Sequence, residues 1–178
     1  EPVSRLGDIV SSVGAQVAIV DTASLWPSAE VPISSIINVA DPKDSGPISI
    51  VARGPVPGAS APAYVLFTSG TTGRPKGVAQ DADALNYHIM TYVRSVGMTQ
   101  SDHISLIADV CYDAALMDIF GALASGARLV AWNLSRSGIA GLLGWFSQET
   151  ITIFHGTPSV FREVFTSAGP LSLPLIRC

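Results

Sequence analysis

The feature that most constrains the fold is a segment rich in glycine and hydroxyl side chains that directly follows an apolar run. The apolar run, residues 63–68, has the length and composition of a buried strand, and residues 68–77 contain three glycines, four hydroxyl side chains and Lys76. Glycines let a backbone turn tightly, so that its N–H groups can face an anion. Hydroxyl groups add hydrogen-bond donors, and the lysine adds a positive charge that suits a polyphosphate. The pattern therefore predicts a buried strand that leads into a phosphate-binding loop.

The glycine spacing separates this loop from two commoner nucleotide-binding signatures. A Walker loop places its glycines five positions apart with a lysine directly after the second, whereas Gly70 and Gly73 are three apart and Lys76 follows three positions later. The chain also has no GxGxxG segment, which a dinucleotide-binding turn requires. An ordinary flexible connection would explain the glycines but not the density of hydroxyl groups beside a lysine. A P-loop kinase and a Rossmann dehydrogenase are therefore disfavoured.

Strand-like apolar runs alternate with segments of helical period along most of the chain. This alternation predicts an α/β fold with a mostly parallel sheet flanked by helices. Helices are predicted over 5–13, 82–96, 114–124 and 138–148 and after Pro158. Strands are predicted over 16–20 and 63–68, both expected to be buried, and over 34–39, 103–108, 128–131 and 152–155. Asp81 is a predicted N-cap, and Gly14, Gly97 and Gly126 are predicted helix ends. Residues 41–62 are rich in Pro, Gly and Ser without a sustained period, and we expect an internal loop or linker there.

Composition excludes several classes of function. The formal net charge is −4 and the Lys and Arg residues are scattered singly, so neither nucleic acid nor an anionic membrane surface is an expected partner. No apolar run approaches the roughly 20 residues that span a bilayer, and no signal pattern opens the chain, so we expect a soluble, cytoplasmic protein. Cys111 and Cys178 lack metal-ligand spacing, and no structural metal is expected. Because 48% of the residues are hydrophobic and only 13% are charged, some apolar surface is expected to face further polypeptide.

Residues 64–78 resemble the signature segment of the adenylate-forming superfamily, which includes acyl-CoA synthetases, luciferases and peptide synthetase adenylation domains. The resemblance implies that the loop closes over the β- and γ-phosphates of Mg²⁺-ATP while a substrate carboxylate attacks the α-phosphate and releases pyrophosphate. A mobile, hydroxyl-rich loop can stabilise the charge that develops on the leaving pyrophosphate. The implied phosphate ligands are Thr68, Ser69, Gly70, Thr71, Thr72, Gly73 and Lys76, and Lys76 is the implied catalytic residue.

A second motif, residues 112–127, begins with an aromatic residue and an aspartate and continues as a predicted helix. From the local sequence alone, Asp113 is predicted to cap a helix that starts at Ala114. The motif is similar to the aromatic-Asp-x-Ser segment of nonribosomal peptide synthetase adenylation domains, and this resemblance implies that Asp113 binds the α-ammonium group of the substrate. A carboxylate at the mouth of an apolar pocket suits an ammonium group, because an unpaired buried charge is costly. With a phosphate loop upstream, we favour the substrate role.

The same resemblance places three more residues at the substrate pocket. Ala114 and Met117 would line it from the helix, and His155 would line it from the end of a strand. Met117 and His155 have structural alternatives, because a methionine at helical spacing often packs in a core and a histidine at a strand end is often a structural residue. If His155 does line the pocket, a substrate with a polar side chain is favoured.

The resemblance extends over nearly all of residues 1–178, with two departures from the family pattern. Ala115 stands where a small hydroxyl residue is usual, and Ala82-Asp83 replaces a His-Arg pair often found after the phosphate loop. The family's adenine-binding segment, hinge and C-terminal catalytic lysine have no counterpart in this sequence. We therefore expect a partial adenylation domain that lacks the C-terminal catalytic subdomain and is inactive without the remainder of the domain.

Three functional hypotheses follow. The first is a ligase that converts ATP and an amino acid into aminoacyl-AMP and loads the aminoacyl group onto the phosphopantetheine thiol of a carrier protein. The second keeps the chemistry but uses a fatty, aryl or hydroxy acid, as acyl-CoA ligases do, and Asp113 argues against it because such acids offer no ammonium group. The third is a noncatalytic binding or scaffold segment of a synthetase, which the departures at Ala115 and Ala82-Asp83 keep open. We favour the amino-acid ligase.

Overall fold

The computed structural model describes residues 3–21, 26–40, 58, 60–69, 74–166 and 176, and the chain forms two compact units, residues 1–80 and 81–178. The first unit contains α1 (Val3–Val13), β1 (Val17–Val20), β2 (Ser35–Asn38), β3 (Pro62–Ser69) and β4 (Pro75–Asp81), the last of which ends at the boundary. The second contains α2 (Ala82–Ser95), β5 (His103–Leu106), α3 (Asp113–Ser125), β6 (Arg128–Ala131), α4 (Leu134–Ser137), α5 (Leu142–Gln148) and α6 (Pro158–Thr166). No helix within the described ranges is long and apolar enough to cross a membrane. Most of the predicted loop over 41–62 lies outside these ranges.

In the first unit, α1 and β1 form close to their predicted positions. Gly14 follows α1 with a φ of +63°, a left-handed conformation that ends the helix and that glycine adopts without strain. β1 pairs with β2 in parallel, with Val17 opposite Ser35. Ala18 is the one buried side chain that the two strands contribute, so the prediction of a buried strand over 16–20 is wrong.

The strand before the glycine-rich segment differs from the prediction in two ways. β3 forms and, within the described ranges, is hydrogen-bonded to β4 alone, but none of its side chains from Pro62 to Thr68 is buried. The predicted buried strand over 63–68 is therefore wrong in its burial. Residues 75–77, predicted as part of a loop, belong to β4, and Pro75 occupies the first position of that strand, where its missing N–H group is tolerated.

The second unit is built on two parallel strands joined by a helix. β5 pairs with β6 in parallel, with His103 opposite Arg128, and α3 connects the two strands and packs against both. On the other side of β5, Ile153 forms a parallel bridge opposite Ile104. The strand predicted over 152–155 is reduced to this single bridge. β5 is thus central, with β6 on one side and the segment around Ile153 on the other.

Helices cover both faces of this sheet, because alternate residues along each strand point in opposite directions. On one face lie α2 and α3, where the buried cluster contains Met98, Ile104, Ala122 and Ile153, with Leu129 packed against it. On the other face lie α5 and α6, where the buried cluster contains Ile107, Leu142, Trp145, Phe146, Ile151, Phe154 and Val164, with Val130 packed against it. The predicted layering of helices around a parallel sheet is confirmed in this unit.

The predicted helix over 138–148 is wrong in its N-terminal part. The structure has two short helices instead, α4 and α5, and Gly138 separates them with a φ of +68° and a ψ of −173°. That conformation cannot continue a helix. Asn133 fixes the start of α4, because its side-chain oxygen accepts a hydrogen bond from the Arg136 N–H at 3.0 Å.

Candidate functional site

The described part of the predicted phosphate loop is the β3–β4 strand pair of the first unit. The Thr68 hydroxyl donates a hydrogen bond to the carbonyl oxygen of Lys76 at 3.5 Å, so the residues on either side of the loop lie close together. Both residues are exposed. Ser69 ends β3, whereas Gly70, Thr71, Thr72 and Gly73 lie outside the described residues. The strand pair thus presents a hydroxyl and a lysine side chain, both hydrogen-bond donors to phosphate oxygens, beside the glycine-rich segment.

Gly77 determines how closely the two strands pack. A Cβ atom at this position would lie 3.1 Å from Val65 Cγ1 and 3.2 Å from two ring carbons of Phe67. These separations are shorter than an optimal contact between carbon atoms, so a larger residue would displace the β3 side chains. The glycine next to Lys76 is therefore explained by packing as well as by any approach of a ligand.

The second unit contains a cavity of about 790 Å³ at the carboxyl ends of β5 and β6. This is the edge at which α/β sheets bind ligands, and the volume is that of a small-molecule site. The apolar walls include Leu106, Ile107, Val110, Ala114, Ala131, Trp132, Leu134, Pro158 and Val160. The polar lining residues are Asp109, Asp113, Asn133, Ser135, His155 and Thr157. The arrangement suits a small molecule that has an apolar body and a charged end.

Asp113 lies in the first turn of α3, exposed and lining the cavity. Its Oδ1 accepts a hydrogen bond from the Ala114 N–H at 2.9 Å. The N-cap position of α3 belongs to Tyr112, which makes no side-chain cap bond, so the alternative that Asp113 caps a helix starting at Ala114 is wrong by one residue. A carboxylate in the first turn interacts favourably with the positive end of the helix dipole.

Of the other predicted pocket residues, the structure brings two to the cavity and leaves one out. Ala114, from α3, and His155, from the segment that follows Ile153, both line the cavity. Met117 lies one turn further along α3, is half-buried, and does not line this cavity.

A second carboxylate, Asp109, also lines the cavity and was missed in the sequence. Its Oδ1 accepts a hydrogen bond from the Cys111 N–H at 3.0 Å, and hydrogen bonds from Cys111 lower the pKa of this carboxyl. The Asp109 carbonyl oxygen accepts a further bond from the Tyr112 N–H at 3.0 Å. Together these bonds form the turn that leads into α3 and that positions Asp113.

A third carboxylate lies behind His155. Asp118 is fully buried, and its Oδ1 accepts hydrogen bonds from His155 Nδ1 at 3.0 Å and from the Tyr92 hydroxyl at 3.2 Å. The Tyr92 and His155 rings are 5.9 Å apart. Of these three residues, only His155 was predicted from the sequence. The signal that could have found Asp118 is its spacing, since Ala115, Asp118 and Ala122 share the buried stripe of α3.

Asp118 and His155 alter each other's protonation. Burial raises the pKa of the Asp118 carboxyl above its ordinary value, and the hydrogen bond from His155 opposes that rise. The hydrogen bond to Asp118 raises the pKa of the His155 ring, burial opposes the rise, and the charge of Asp113 adds to it. Both shifts therefore favour proton uptake by the pair over the fully deprotonated state, in which the pair carries a net negative charge. The negative charge of the cavity then comes from Asp109 and Asp113.

Metal binding by side chains alone has no support in the described ranges, where no three His, Cys, Asp or Glu residues are grouped to hold an ion. The side chains flanking the glycine-rich segment, Thr68 and Lys76, are hydrogen-bond donors, and Lys76 carries a positive charge. They suit phosphate oxygens rather than a cation.

Comparison with known proteins gives a consistent result. Residues 2–175 match the model of a family described as AMP-binding enzyme. Malformin synthetase mlfA of Aspergillus niger is 33% identical over 181 residues, a match that covers 99% of this chain and 4% of the relative. The chain thus spans only a small part of the length of the curated relative that it matches.

Solved structures share the fold at lower identity. O-succinylbenzoate coenzyme A synthetase (MenE) of Bacillus subtilis, in complex with ATP and magnesium ion, has a TM-score of 0.82 and 18% identity, covering 100% of this chain and 36% of that one. The nonribosomal peptide synthetase FmoA3, in its α-methyl-L-serine-AMP bound form, has a TM-score of 0.78 and 23% identity, covering 98% and 19%. The predicted α/β fold, that of the N-terminal subdomain of adenylate-forming enzymes, is confirmed.

Proposed function

Because the chain belongs to the AMP-binding enzyme family, we propose that it is part of an ATP-dependent adenylate-forming ligase that activates an amino acid. The observation that carries this proposal is Asp113, a carboxylate in the first turn of α3 that lines a mainly apolar cavity. An ammonium group is the partner that such a carboxylate favours, since a charge next to apolar walls needs a countercharge. The α-amino group of an amino acid supplies it.

In the proposed reaction the amino acid binds with its ammonium group at Asp113 and its side chain among the apolar walls. A carboxylate oxygen attacks the α-phosphorus of Mg²⁺-ATP, the bond from that phosphorus to the bridging oxygen breaks, and aminoacyl-AMP and pyrophosphate form. Thr68, Ser69 and Lys76, with residues 70–73, are assigned to the β- and γ-phosphates. Their donors would stabilise the charge that develops on the leaving pyrophosphate.

The side-chain pocket is assigned to Ala114 and His155, which line the cavity, and not to Met117, which does not. The small side chain of Ala114 leaves room beside Asp113, and His155 contributes a polar ring to the wall. The malformin synthetase relative supports an origin in a synthetase of peptide type. In that case the aminoacyl group is then transferred to the phosphopantetheine thiol of a carrier protein or domain.

The alternative substrate class is a carboxylic acid without an amino group. This substrate class is the alternative because the chain shares its fold with MenE, which is named as a coenzyme A synthetase for O-succinylbenzoate. Two carboxylates at the cavity, Asp109 and Asp113, argue against it. An acid without an ammonium group would leave both uncompensated, and like charges would repel its own carboxylate.

The test is ATP–pyrophosphate exchange by the complete polypeptide that contains this chain, run with amino acids and their deaminated analogues. Asp113→Ala should reduce exchange with amino acids on the order of a hundredfold, because a charge-assisted hydrogen bond is lost and the ammonium group is left unpaired. Exchange with deaminated analogues should change far less.

Asp83→Ala is the matched control, because Asp83 is also an exposed carboxylate in the first turn of a helix, α2, but does not line the cavity. Equal loss with both substrate classes in Asp113→Ala would remove the ammonium role. Exchange supported only by acids without an amino group would establish the acyl alternative, and no exchange with any acid would favour a noncatalytic segment.

A further inference from the structure

We propose that Asp118 is a positioning residue that holds His155 by Nδ1, so that Nε2 meets the polar end of the substrate side chain and selects amino acids with a hydroxyl or carboxamide group. The identity of the substrate as an amino acid rests on the proposed function. The Asp118–His155 geometry does not depend on it.

Of the two ring nitrogens of His155, Nδ1 is engaged by Asp118. His155 Nδ1 is 3.0 Å from Asp118 Oδ1, and its backbone N–H donates to Ser105 Oγ at 3.3 Å, so both the ring and its backbone are held. Among the described residues no side chain bonds Nε2. Because His155 lines the cavity and Asp118 does not, Nε2 is the ring nitrogen left to meet a ligand.

Asp118 is poorly explained as a purely structural residue. It is fully buried, and its Oδ2 has no hydrogen-bond partner within the described ranges. A buried carboxylate with an unsatisfied oxygen costs folding free energy, and a well-packed apolar residue in its place is often neutral or stabilising. Its position in the buried stripe of α3 is better explained by what it does to His155.

The packing of α2 against α3 delivers a second hydrogen bond to Asp118. Gly121 lies one turn after Asp118 on α3, and a Cβ atom there would lie 3.3 Å from two ring carbons of Tyr92. The glycine therefore lets the Tyr92 ring pack closely against α3, and the hydroxyl reaches Asp118 Oδ1 at 3.2 Å. Two donors on one oxygen fix the direction of the carboxylate and hence of the His155 ring.

Nε2 of His155 can form a hydrogen bond with a ligand in either charge state of the ring. The titratable groups that face His155 are Asp118, Asp113 and, through its ring, Tyr92. With Nδ1–H directed at Asp118, Nε2 accepts a hydrogen bond when the ring is neutral and donates one when it is charged. A hydroxyl or carboxamide group can both donate and accept, so it suits either state, whereas an aliphatic side chain would leave Nε2 unpaired in an apolar wall.

The positioning role is tested on the 178-residue chain by NMR titration of the histidine rings. The chain has three histidines, so the resonances can be assigned by substitution. We expect His155 to carry its proton on Nδ1 when neutral, and its pKa to fall in Asp118→Asn. Asp102→Asn is the matched control, because Asp102 is also buried, at 3% exposure, but bonds Thr99 and Thr152 instead. A His155 pKa that is the same in Asp118→Asn as in the unmodified chain would overturn the role.

Selectivity is tested by pyrophosphate exchange of the complete polypeptide with near-isosteric pairs, namely threonine and valine, asparagine and leucine, and glutamine and methionine. We expect the preferred substrate to be the polar member of one pair, and Asp118→Asn to lower that preference in kcat/KM about tenfold. Tyr92→Phe should act in the same direction and more weakly, and Asp102→Asn should not act. When His155 is already replaced by alanine, adding Asp118→Asn should not change the preference for the polar substrate any further.

The outcomes separate the two proposals. Exchange with amino acids but with an apolar preference that Asp118→Asn leaves unchanged would overturn the selectivity while the proposed function stands. Exchange with no amino acid would overturn the proposed function, and the histidine titration would still decide whether Asp118 positions His155. A preference lost equally in Asp118→Asn and Asp102→Asn would show a structural effect only.

Discussion

At the scale of residues, α3 carries two aspartates with opposite surroundings. Asp113 is exposed in the first turn and faces a cavity, whereas Asp118 is fully buried and faces α2 and His155. The helical period explains the difference, because Asp118 falls on the buried stripe with Ala115 and Ala122 and Asp113 does not. The same side chain is therefore suited to bind a charged ligand in one place and to orient a ring in the other.

The Asp118–His155 pair predicts how stability depends on pH. The folded chain raises the pKa of His155 above its ordinary value of 6.5, so the stabilisation by the pair is complete below pH 6.5 and is lost as pH rises through the folded-state pKa. The raised pKa of Asp118 acts in the same direction. We expect the midpoint urea concentration to decrease as the pH is raised from 6 to 9. His155→Gln should make this decrease smaller, because glutamine can still donate a hydrogen bond to Asp118 but does not titrate in this range.

His88→Gln is the control for this measurement, because His88 is exposed on α2 and has no part in the pair. It should keep the slope of the unmodified chain. A slope that is equally steep in His155→Gln and in the unmodified chain would mean that groups elsewhere set the pH dependence.

At the scale of elements, the β3–β4 pair is where the proposed phosphate chemistry can be tested. Lys76→Ala should slow ATP–pyrophosphate exchange by the complete polypeptide about 10- to 100-fold, because an ammonium group aimed at the leaving pyrophosphate stabilises charge that develops in the transition state. Lys76→Arg should recover part of the rate, since it restores the charge with a different shape. Arg94→Ala, which removes an exposed cation from the last turn of α2, should leave the rate unchanged. Normal exchange in Lys76→Ala would remove this lysine from the mechanism.

The elements that the sequence predicted well are those whose ends are fixed locally. Asp81 accepts a hydrogen bond from the Ala84 N–H at 2.7 Å at the start of α2, and Gly97 and Gly126 take positive φ angles where α2 and α3 end. These signals lie within a few residues of the boundary that they set. Strand burial and the pairing of β3 with β4 depend on what packs against a strand, which local sequence does not contain. Gly138 was the local signal for the break between α4 and α5, and its meaning was missed.

The candidate site divides in the same way. Asp113, Ala114 and His155 line one cavity, as the family resemblance predicted, while their roles remain predictions. Asp118 and Tyr92 were missed because their contacts join residues 37 and 26 positions apart, and no local pattern links such positions. Folding brings them together because α2 and α3 pack side by side on β5.

At the scale of the whole molecule, the apolar core is unevenly distributed. Within the described ranges every buried apolar side chain except Ala18 and Val31 belongs to residues 81–178. The exposed apolar side chains of the first unit include Val17, Ile19 and Val39, at 51%, 71% and 60% exposure. The high apolar content of the sequence is thus partly at the surface, as expected from composition, and the second unit has the greater capacity to hold its cavity in shape.

That capacity predicts where the molecule is most sensitive to loss of packing. Phe146 is 1% exposed, and its ring is 5.7 Å from that of Trp145 and 5.0 Å from that of Phe154, so Phe146→Ala should cost about 3–5 kcal/mol of unfolding free energy. Tyr87→Ala is the matched aromatic control, because Tyr87 is 76% exposed and should change stability by less than about 0.5 kcal/mol. Urea unfolding followed by tryptophan fluorescence in a Trp26→Phe background reports on this unit, since the two remaining tryptophans, Trp132 and Trp145, lie in it with their rings 5.2 Å apart. Equal midpoints for the two variants would mean that the α5–α6 face of the sheet does not stabilise the unit. A large difference would show that it does, and Val160, which packs against this core and also lines the cavity, connects that stability to the cavity wall.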